Sequence, residues 1–168
     1  MKIKKTILLI VMTILITGCE KEIKTLKKEP ITYKKADKLK GQLYAVYKGK
    51  RLPTQMPPKE YYLVYTSASW CGPCKTFNNT LIPVLTRRNL QTILIPGDTT
   101  TEKINEYAEN KPFFVLDTKA IHYPDWVNKI INIGNTIPKL AIIRSNGELE
   151  YINHDPKKVL IKYLEMNK

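Results

Sequence analysis

The chain is poor in cysteine and histidine, with three cysteines and two histidines among 168 residues. A zinc site normally needs four such ligands, arranged as two short-spaced pairs. Cys71 and Cys74 make one short pair, but His122 and His154 are far apart and each stands alone. The ligand count therefore disfavours zinc at this pair, and too few cysteines remain for a framework of structural disulfides.

The chain also lacks an apolar run long enough to cross a bilayer at its start. A basic segment, Met1–Lys5, precedes an apolar segment, Thr6–Ile16, that is short for a permanent membrane helix. Small residues close this segment at Ile16-Thr17-Gly18-Cys19. This order is typical of a secretory leader, although an uncleaved signal anchor is the alternative. Both interpretations place the rest of the chain outside the cytoplasm.

Acidic residues are scarce as well: 15 Asp and Glu oppose 28 Lys and Arg, which gives a formal charge of +13. Between residues 20 and 40, lysine is about twice as frequent as Asp and Glu together. Such a segment is expected to lie along an anionic membrane surface or to act as a solvated spacer. The alternative is a generally basic proteome in which the excess has no function. Nucleic-acid binding is not expected, because the lysines lack the aromatic pattern of RNA-binding modules.

The residues that carry chemistry are Trp70-Cys71-Gly72-Pro73-Cys74. The apolar run Tyr61–Tyr65 before them indicates a buried strand, and Lys75–Arg88 after them has apolar residues at helical spacing. The two thiols therefore stand at the first turn of a helix. Unpaired N–H groups and the positive end of the helix dipole favour the thiolate of Cys71 there.

The first turn also explains the residues between the two cysteines. Pro73 has no N–H to lose in a first turn, and it stiffens the loop that joins the sulfurs. Cys74 is then held where it can attack a mixed disulfide formed on Cys71. A purely structural disulfide is the alternative interpretation of this pair.

Trp70 to Lys75 resembles the active site of thioredoxins, and the similarity extends over residues 43–168. The resemblance implies an α/β thioredoxin fold, with a central mixed β-sheet flanked by helices on both faces. The spacing between the cysteines and a later Ile137-Pro138 is long, and Phe113–Asp117 lies within it. The long spacing implies an inserted helix-strand segment before the cis-proline. In this respect the chain is similar to the membrane-anchored TlpA and ResA-type branch.

The resemblance also implies roles for individual residues. Cys71 would attack a substrate disulfide and Cys74 would resolve the mixed intermediate, while Trp70, Gly72 and Pro73 shape the active site. The proline that matches Pro138 is cis in thioredoxins and packs beside the sulfurs, so the backbone of Ile137 would pair with an extended substrate. The alternative for Pro138 is a simple strand boundary.

The sequence departs from thioredoxins at three places near the cysteines. Thioredoxins carry a buried aspartate six positions before the first cysteine, and Tyr65 occupies that position here. Thr66 and Ser67 replace the usual Phe-Trp pair, and Pro83 falls four residues later than the helix-kinking proline. No Asp or Glu occurs from residue 61 to residue 97. We therefore expect the proton of Cys74 to be transferred to water or to a carboxylate that the fold brings close, such as that of Asp98.

The end of the first apolar segment, Ile16-Thr17-Gly18-Cys19, resembles the lipobox of bacterial lipoproteins. In a lipobox the chain is cut before the cysteine and lipid is attached to its sulfur. Lipidation of Cys19 would leave Cys71 and Cys74 as the only free pair. The predicted organisation is a signal peptide at 1–18, a lipid-anchored basic tether at 19–42 and a thioredoxin-like domain at 43–168.

Hydrophobic patterns predict the secondary structure around the motif. We expect an edge strand at Leu43–Tyr47, a loop at Pro53 and Pro57-Pro58, further strands at Gln91–Ile95 and Phe113–Leu116, and a helix capped by Thr99–Thr101. A helix over Tyr123–Ile131 would bury Trp126, Ile130 and Ile131. Asn146-Gly147 predicts a hairpin between Lys139–Arg144 and Glu148–Ile152. Asp155-Pro156 would open a last helix that buries Val159, Leu160, Tyr163 and Leu164.

Together these patterns predict a membrane-tethered thiol-disulfide oxidoreductase that reduces proteins outside the cytoplasm. The expected location is a bacterial membrane, facing the periplasm or the outer side of the cell. The expected partners are extracytoplasmic protein thiols and disulfides, a membrane electron-donor protein and the membrane itself through Cys19. No cofactor, metal or nucleic acid is expected.

Two other functions use the same residues. The first is a disulfide oxidase or isomerase, in which Cys71 and Cys74 work in the opposite direction. The second is a copper-handling or thiol-sensing binding protein. Proteins of the Sco type pair a CxxxC motif with a distal histidine on a similar fold, but the cysteine spacing here is one residue shorter.

Overall fold

The computed structural model describes residues 42–117, 125–134 and 136–167. They form a seven-stranded sheet and four helices. The strands are β1 Leu43–Tyr47, β2 Lys50–Thr54, β3 Tyr61–Ser67, β4 Thr92–Pro96, β5 Phe113–Leu116, β6 Lys139–Arg144 and β7 Leu149–Ile152. The helices are α1 Gly72–Arg87, α2 Thr101–Ala108, α3 Asp125–Asn132 and α4 Pro156–Met166. This is the mixed α/β thioredoxin fold that the sequence predicted.

The strand order in the sheet is β2-β1-β5-β4-β3-β6-β7. Strands β3, β4 and β5 are parallel, whereas β1, β2, β6 and β7 each pair antiparallel with their neighbours. The parallel strands are joined through α1 and α2, as parallel connections require. Helix α2 and strand β5 are the predicted helix-strand insertion, and they precede Ile137-Pro138.

Two hydrophobic clusters cover the two faces of the sheet because successive side chains of a strand point to opposite sides. On one face, Leu63 and Tyr65 of β3 pack with residues of α1, α2 and α4. On the other face, Tyr62 and Val64 pack with Trp126 and other residues of α3. Strand β3 is buried on both faces and ends at the turn that leads to the cysteines. The two packed faces therefore fix the position of that turn.

The edge of the sheet differs from the sequence prediction. Leu43–Tyr47 is not the edge strand, because β2 pairs with it from outside, with Tyr44 opposite Pro53. The prediction treated Pro53 as a loop residue. A proline has no N–H to donate, but on an edge strand that group needs no partner within the sheet, so the strand tolerates it.

Two predicted core positions are also wrong or only partly right. Ile131 is 41% exposed rather than turned inward, because α3 buries Trp126, Val127 and Ile130 on its inner face. Leu164 is half-buried at the rim of the core, whereas Val159, Leu160 and Tyr163 are buried as predicted. The first two residues of the predicted helix, 123 and 124, lie outside the described residues.

The predicted hairpin forms, with Gly147 in its turn. Its φ is +87°, and a Cβ on this residue would lie 3.1 Å from a ring carbon of Trp126. Both the positive φ and the close approach favour glycine at this position. The predicted leader at 1–18 and the tether at 19–42, apart from Gln42, lie outside the described residues.

Candidate active site

Cys71 is the N-cap residue of α1, immediately after the turn that ends β3. Its sulfur accepts a hydrogen bond from the backbone N–H of Cys74, with an N···S distance of 3.1 Å. Cys71 and Cys74 form a disulfide whose Cα atoms are 5.2 Å apart. After reduction, the same N–H would face a thiolate on Cys71, and it is one of the four N–H groups that a helix start leaves without a helical partner.

The charges of the first helical turn favour the Cys71 thiolate. The first turn of α1 contains no acidic residue, and the exposed Lys75 follows Cys74 directly. The positive end of the helix dipole lies at this turn. These groups stabilise the anionic form of a sulfur at Cys71, which is the form that attacks disulfides.

The two cysteines differ in their access to solvent. Cys71 is 4% exposed and Cys74 is fully buried, while the neighbouring Trp70 is 66% exposed. An exposed tryptophan of this size beside a nearly buried sulfur offers an apolar surface to a second molecule. The geometry allows an incoming group to reach Cys71 and denies it direct access to Cys74.

The loop before β6 lies against the disulfide. The Ile137–Pro138 peptide bond is cis, as the resemblance implied. The carbonyl oxygen of Ile137 is 3.7 Å from the sulfur of Cys71, and the Ile137 side chain packs against Ala68 and both cysteines. The structure therefore brings Cys71, Cys74, Ile137 and Pro138 together from two distant segments of the chain.

A buried polar network lies behind the disulfide, on the side of α1. The hydroxyl of Tyr65 is 3.0 Å from Oδ1 of Asn78 and 3.4 Å from the carbonyl oxygen of Cys74. The Asn78 amide donates to the hydroxyl of Tyr107 at 2.8 Å, and that hydroxyl is 2.6 Å from Oγ of Ser67. The four side chains satisfy one another in the interior, where an unpaired polar group would be costly.

Tyr65 thus occupies the place of the thioredoxin aspartate with a neutral group. Burial is the main reason why the pKa of Tyr65 lies far above its usual value. The hydroxyl therefore stays protonated at neutral pH and acts as a hydrogen-bond donor rather than as a base. Asn78 and Tyr107 were not predicted as site residues. The spacing of four residues from Cys74 places Asn78 on the same face of α1, but it does not by itself mark Asn78 as a site residue.

Asp98 lies close to the turn but is engaged elsewhere. Its two carboxylate oxygens accept hydrogen bonds from the backbone N–H and the hydroxyl of Ser69, at 2.8 and 2.6 Å. No hydrogen bond joins Asp98 to either cysteine within the part of the chain that the structure describes. The predicted role of Asp98 in moving the Cys74 proton stays a prediction, while its contact with Ser69 holds the residues that lead into Cys71.

The preceding glycine, Gly97, lets strand β4 end close to this turn. A Cβ on Gly97 would lie 3.2 Å from the Cβ of Ala68, and its N–H donates to the carbonyl of Ser67 at 2.7 Å. A Cβ at this position would therefore need Ala68 to move by a few tenths of an ångström.

No group of three or more metal-ligating side chains is present among the residues described. Within the same residues, no helix combines the length and apolar character needed to span a membrane. Cys19, the predicted lipidation site, lies outside them.

Comparison with known proteins places this arrangement in a family. A family model described as thioredoxin-like matches residues 59–149, which is more than half of the chain. The chain belongs to the thioredoxin-like family. The matched residues include the strand β3, both cysteines, the polar network and Pro138.

A curated relative of this thioredoxin-like chain is a protein named probable nucleoredoxin 1 from Arabidopsis thaliana. The two are 24% identical over 90 residues, which cover 51% of this chain and 15% of the relative. The chain therefore matches a small part of that longer protein.

Solved structures share the fold of the thioredoxin-like domain. Tryparedoxin II from Crithidia fasciculata superposes with a TM-score of 0.56 at 19% identity, covering 78% of this chain and 91% of that one. Tryparedoxin from Trypanosoma brucei gives 0.55 at 21% identity, with 76% and 90% covered. Thioredoxin from Wuchereria bancrofti gives 0.54 at 19% identity, with 76% and 96% covered.

Proposed function

We propose that this protein is a thiol-disulfide oxidoreductase that reduces disulfides of proteins outside the cytoplasm. The observation that carries the proposal is the position of Cys71. Its sulfur caps a helix, accepts the N–H of Cys74 and lies 3.7 Å from the carbonyl of Ile137 at the edge of the site. A sulfur placed in this way is favoured as a thiolate and lies nearer the surface than the fully buried Cys74.

The reaction has two exchange steps. The Cys71 thiolate attacks one sulfur of the substrate disulfide, so a Cys71–substrate disulfide forms and the other substrate sulfur leaves as a thiolate that takes up a proton. Cys74 then loses its proton to solvent and attacks the Cys71 sulfur. This step forms the Cys71–Cys74 disulfide and releases the second substrate thiol. The substrate gains two electrons, and a donor dithiol must return them to the cysteine pair.

The substrate class follows from the surface around Cys71. Trp70 is exposed, Ile137 is half-buried beside the sulfur, and the half-buried Pro138 follows it. An extended polypeptide can lie against these apolar groups and use the backbone of Ile137 for hydrogen bonds. The absence of acidic residues from 61 to 97 leaves only positive charge on α1, which tolerates neutral and acidic substrates.

The location of the protein rests on the sequence of its first residues. The basic start, short apolar segment and Gly18-Cys19 support a bacterial lipoprotein that is tethered outside the cytoplasm through lipid on Cys19. The basic tether next to that lipid supports contact with an anionic membrane. In such a place the donor dithiol would belong to a membrane protein, which agrees with the TlpA and ResA-type assignment.

A single-turnover assay tests the activity. The full-length protein in detergent is reduced, freed of reductant and mixed with insulin, and free insulin thiols are followed together with the Cys71–Cys74 disulfide. We expect the two to form in a ratio of two thiols to one disulfide. Cys71→Ser should abolish both, and Cys19→Ser should serve as the active control. If the oxidised protein instead forms disulfides in reduced insulin while the reduced protein is inert, the protein is an oxidase.

A further inference from the structure

Lys139 is a lysine in the interior of the protein, immediately after Pro138. It begins strand β6 and is only 8% exposed. Its ammonium group lies 3.1 Å from the carbonyl oxygen of Ile130, 3.2 Å from that of Ile131 and 2.7 Å from that of Gly134. This burial lowers the pKa of Lys139.

The three acceptors explain why the charge is tolerated there. Ile130 and Ile131 belong to the last turn of α3, whose carbonyls have no partner within the helix. The negative end of the helix dipole also lies there and attracts a cation. An ammonium group has three N–H donors, and each of them has a carbonyl acceptor. No carboxylate among the described residues forms an ion pair with Lys139.

These bonds join the two ends of the loop that carries Ile137. Gly134 lies early in the loop and has a φ of +67°, while Lys139 lies directly after Pro138. On its other side, Thr136 and Pro138 line a cavity of about 140 Å³ together with Asn153, near the end of β7. The hydrogen bonds of Lys139 therefore restrain this segment on the side of α3, in addition to the contact of Ile137 with the cysteine cluster.

We propose that Lys139 is a positioning residue of the redox site, which holds Ile137 and Pro138 against Cys71 by tying their loop to the end of α3. The expected effect on the rate of disulfide reduction rests on the proposed function. Polypeptide substrates need the Ile137 backbone in a fixed place, whereas a small disulfide needs only the sulfur of Cys71. Loss of the ammonium group should therefore impair reduction of proteins more than reduction of small molecules.

The test compares Lys139→Met with Lys139→Arg and with Lys129→Met, a control that removes an exposed lysine from α3. Methionine keeps an unbranched side chain that is one atom shorter, and it removes all three donors. For Lys139→Met we expect kcat/KM to fall at least tenfold with insulin, mainly through KM, and not to fall with hydroxyethyl disulfide. Lys139→Arg should recover part of the loss, and Lys129→Met should match the wild type on both substrates.

A measurement that is independent of turnover completes the test. Ile137 covers Cys71, so in the reduced, folded Lys139→Met protein we expect iodoacetamide to alkylate Cys71 several times faster than in the wild type. Circular dichroism ensures that the proteins are folded. Equal losses on both substrates, or an unchanged alkylation rate, would show that Lys139 only caps α3. If the wild type reduces neither substrate, the proposed function fails, and the alkylation rate alone decides the role of Lys139.

Discussion

The hydroxyl group of Tyr65 lies 3.0 Å from Oδ1 of Asn78, beside the backbone of Cys74 and away from solvent. This contact places a neutral hydrogen-bond donor where thioredoxins carry a carboxylic acid. The buried resolving cysteine therefore has neutral partners on this side. Its carbonyl oxygen accepts a hydrogen bond from Tyr65, while its proton has to leave by another route.

Removing the Tyr65 hydroxyl should weaken the fold measurably. In Tyr65→Phe the ring still fills its place, but Asn78 loses a buried donor, and an unsatisfied buried group costs about 1–3 kcal/mol. Urea unfolding of the oxidised protein should show a loss in this range with an unchanged m-value. Tyr151→Phe, which changes a half-buried tyrosine outside the network, is the control. A loss below about 0.5 kcal/mol would mean that the network contributes little.

Cys71 and Cys74 should have different roles in disulfide exchange. In Cys74→Ser, attack by Cys71 still occurs but resolution does not, so mixed disulfides with client proteins should accumulate and disappear on treatment with dithiothreitol. In the reduced wild type near pH 7, peptide mapping should find iodoacetamide first on Cys71, because that sulfur caps the helix and Cys74 is fully buried. Accumulation of mixed disulfides in Cys71→Ser instead would reverse the assignment.

The reduction potential should lie below about −200 mV. Thioredoxin lies near −270 mV and the oxidant DsbA near −120 mV, and the difference follows the stability of the reduced form. Gly72-Pro73 is the thioredoxin dipeptide, and it places no histidine between the cysteines to stabilise the thiolate further. Equilibration of the full-length protein with glutathione buffers, read by alkylation, measures the midpoint. A value near that of DsbA would indicate an oxidase.

Lipid on Cys19 should decide how the protein partitions. Cys19→Ala should leave an unprocessed or soluble product that no longer enters the detergent phase in a Triton X-114 separation. Metabolic labelling with an alkyne fatty acid should mark the wild type and not the variant. Unchanged partitioning of Cys19→Ala would show that the apolar leader itself holds the protein in the membrane.

Alkaline unfolding should report the burial of Tyr163. Burial raises the pKa of Tyr163 to about 12, whereas an unfolded tyrosine titrates near 10. A raised folded pKa means that the stabilising effect is complete below about pH 10 and is lost as the pH rises toward 12. Urea unfolding at pH 8, 10 and 11.5 measures this effect. Between pH 8 and pH 11.5, the free energy of unfolding of Tyr163→Phe should fall by roughly 2 kcal/mol less than that of the wild type. An equal decline in both proteins would show that other groups control the alkaline limit.

Local patterns in the sequence determined the framework of the site. The apolar run of β3, the cysteines at a helix start and the Asn146-Gly147 turn each act through neighbours in the chain, so spacing alone predicted them. The CxxC pair at a strand-to-helix turn followed from these signals, whereas the thioredoxin fold was inferred from the family resemblance. The place of Pro138 came instead from family resemblance, because no local rule distinguishes it from a strand boundary.

Tertiary structure decided which polar side chains surround the cysteines. No motif marks Asn78, Tyr107 or Lys139. Asn78 bonds to Tyr107, which is 29 residues away in the sequence, and Lys139 bonds to carbonyls five to nine residues before it. Strand β2 and the outward turn of Ile131 depended likewise on what packs beside them. Interior hydrogen bonds form between the polar groups that packing of the sheet and helices brings together. A sequence pattern with a period of two or 3.6 residues predicts only the face of the strand or helix on which each group lies.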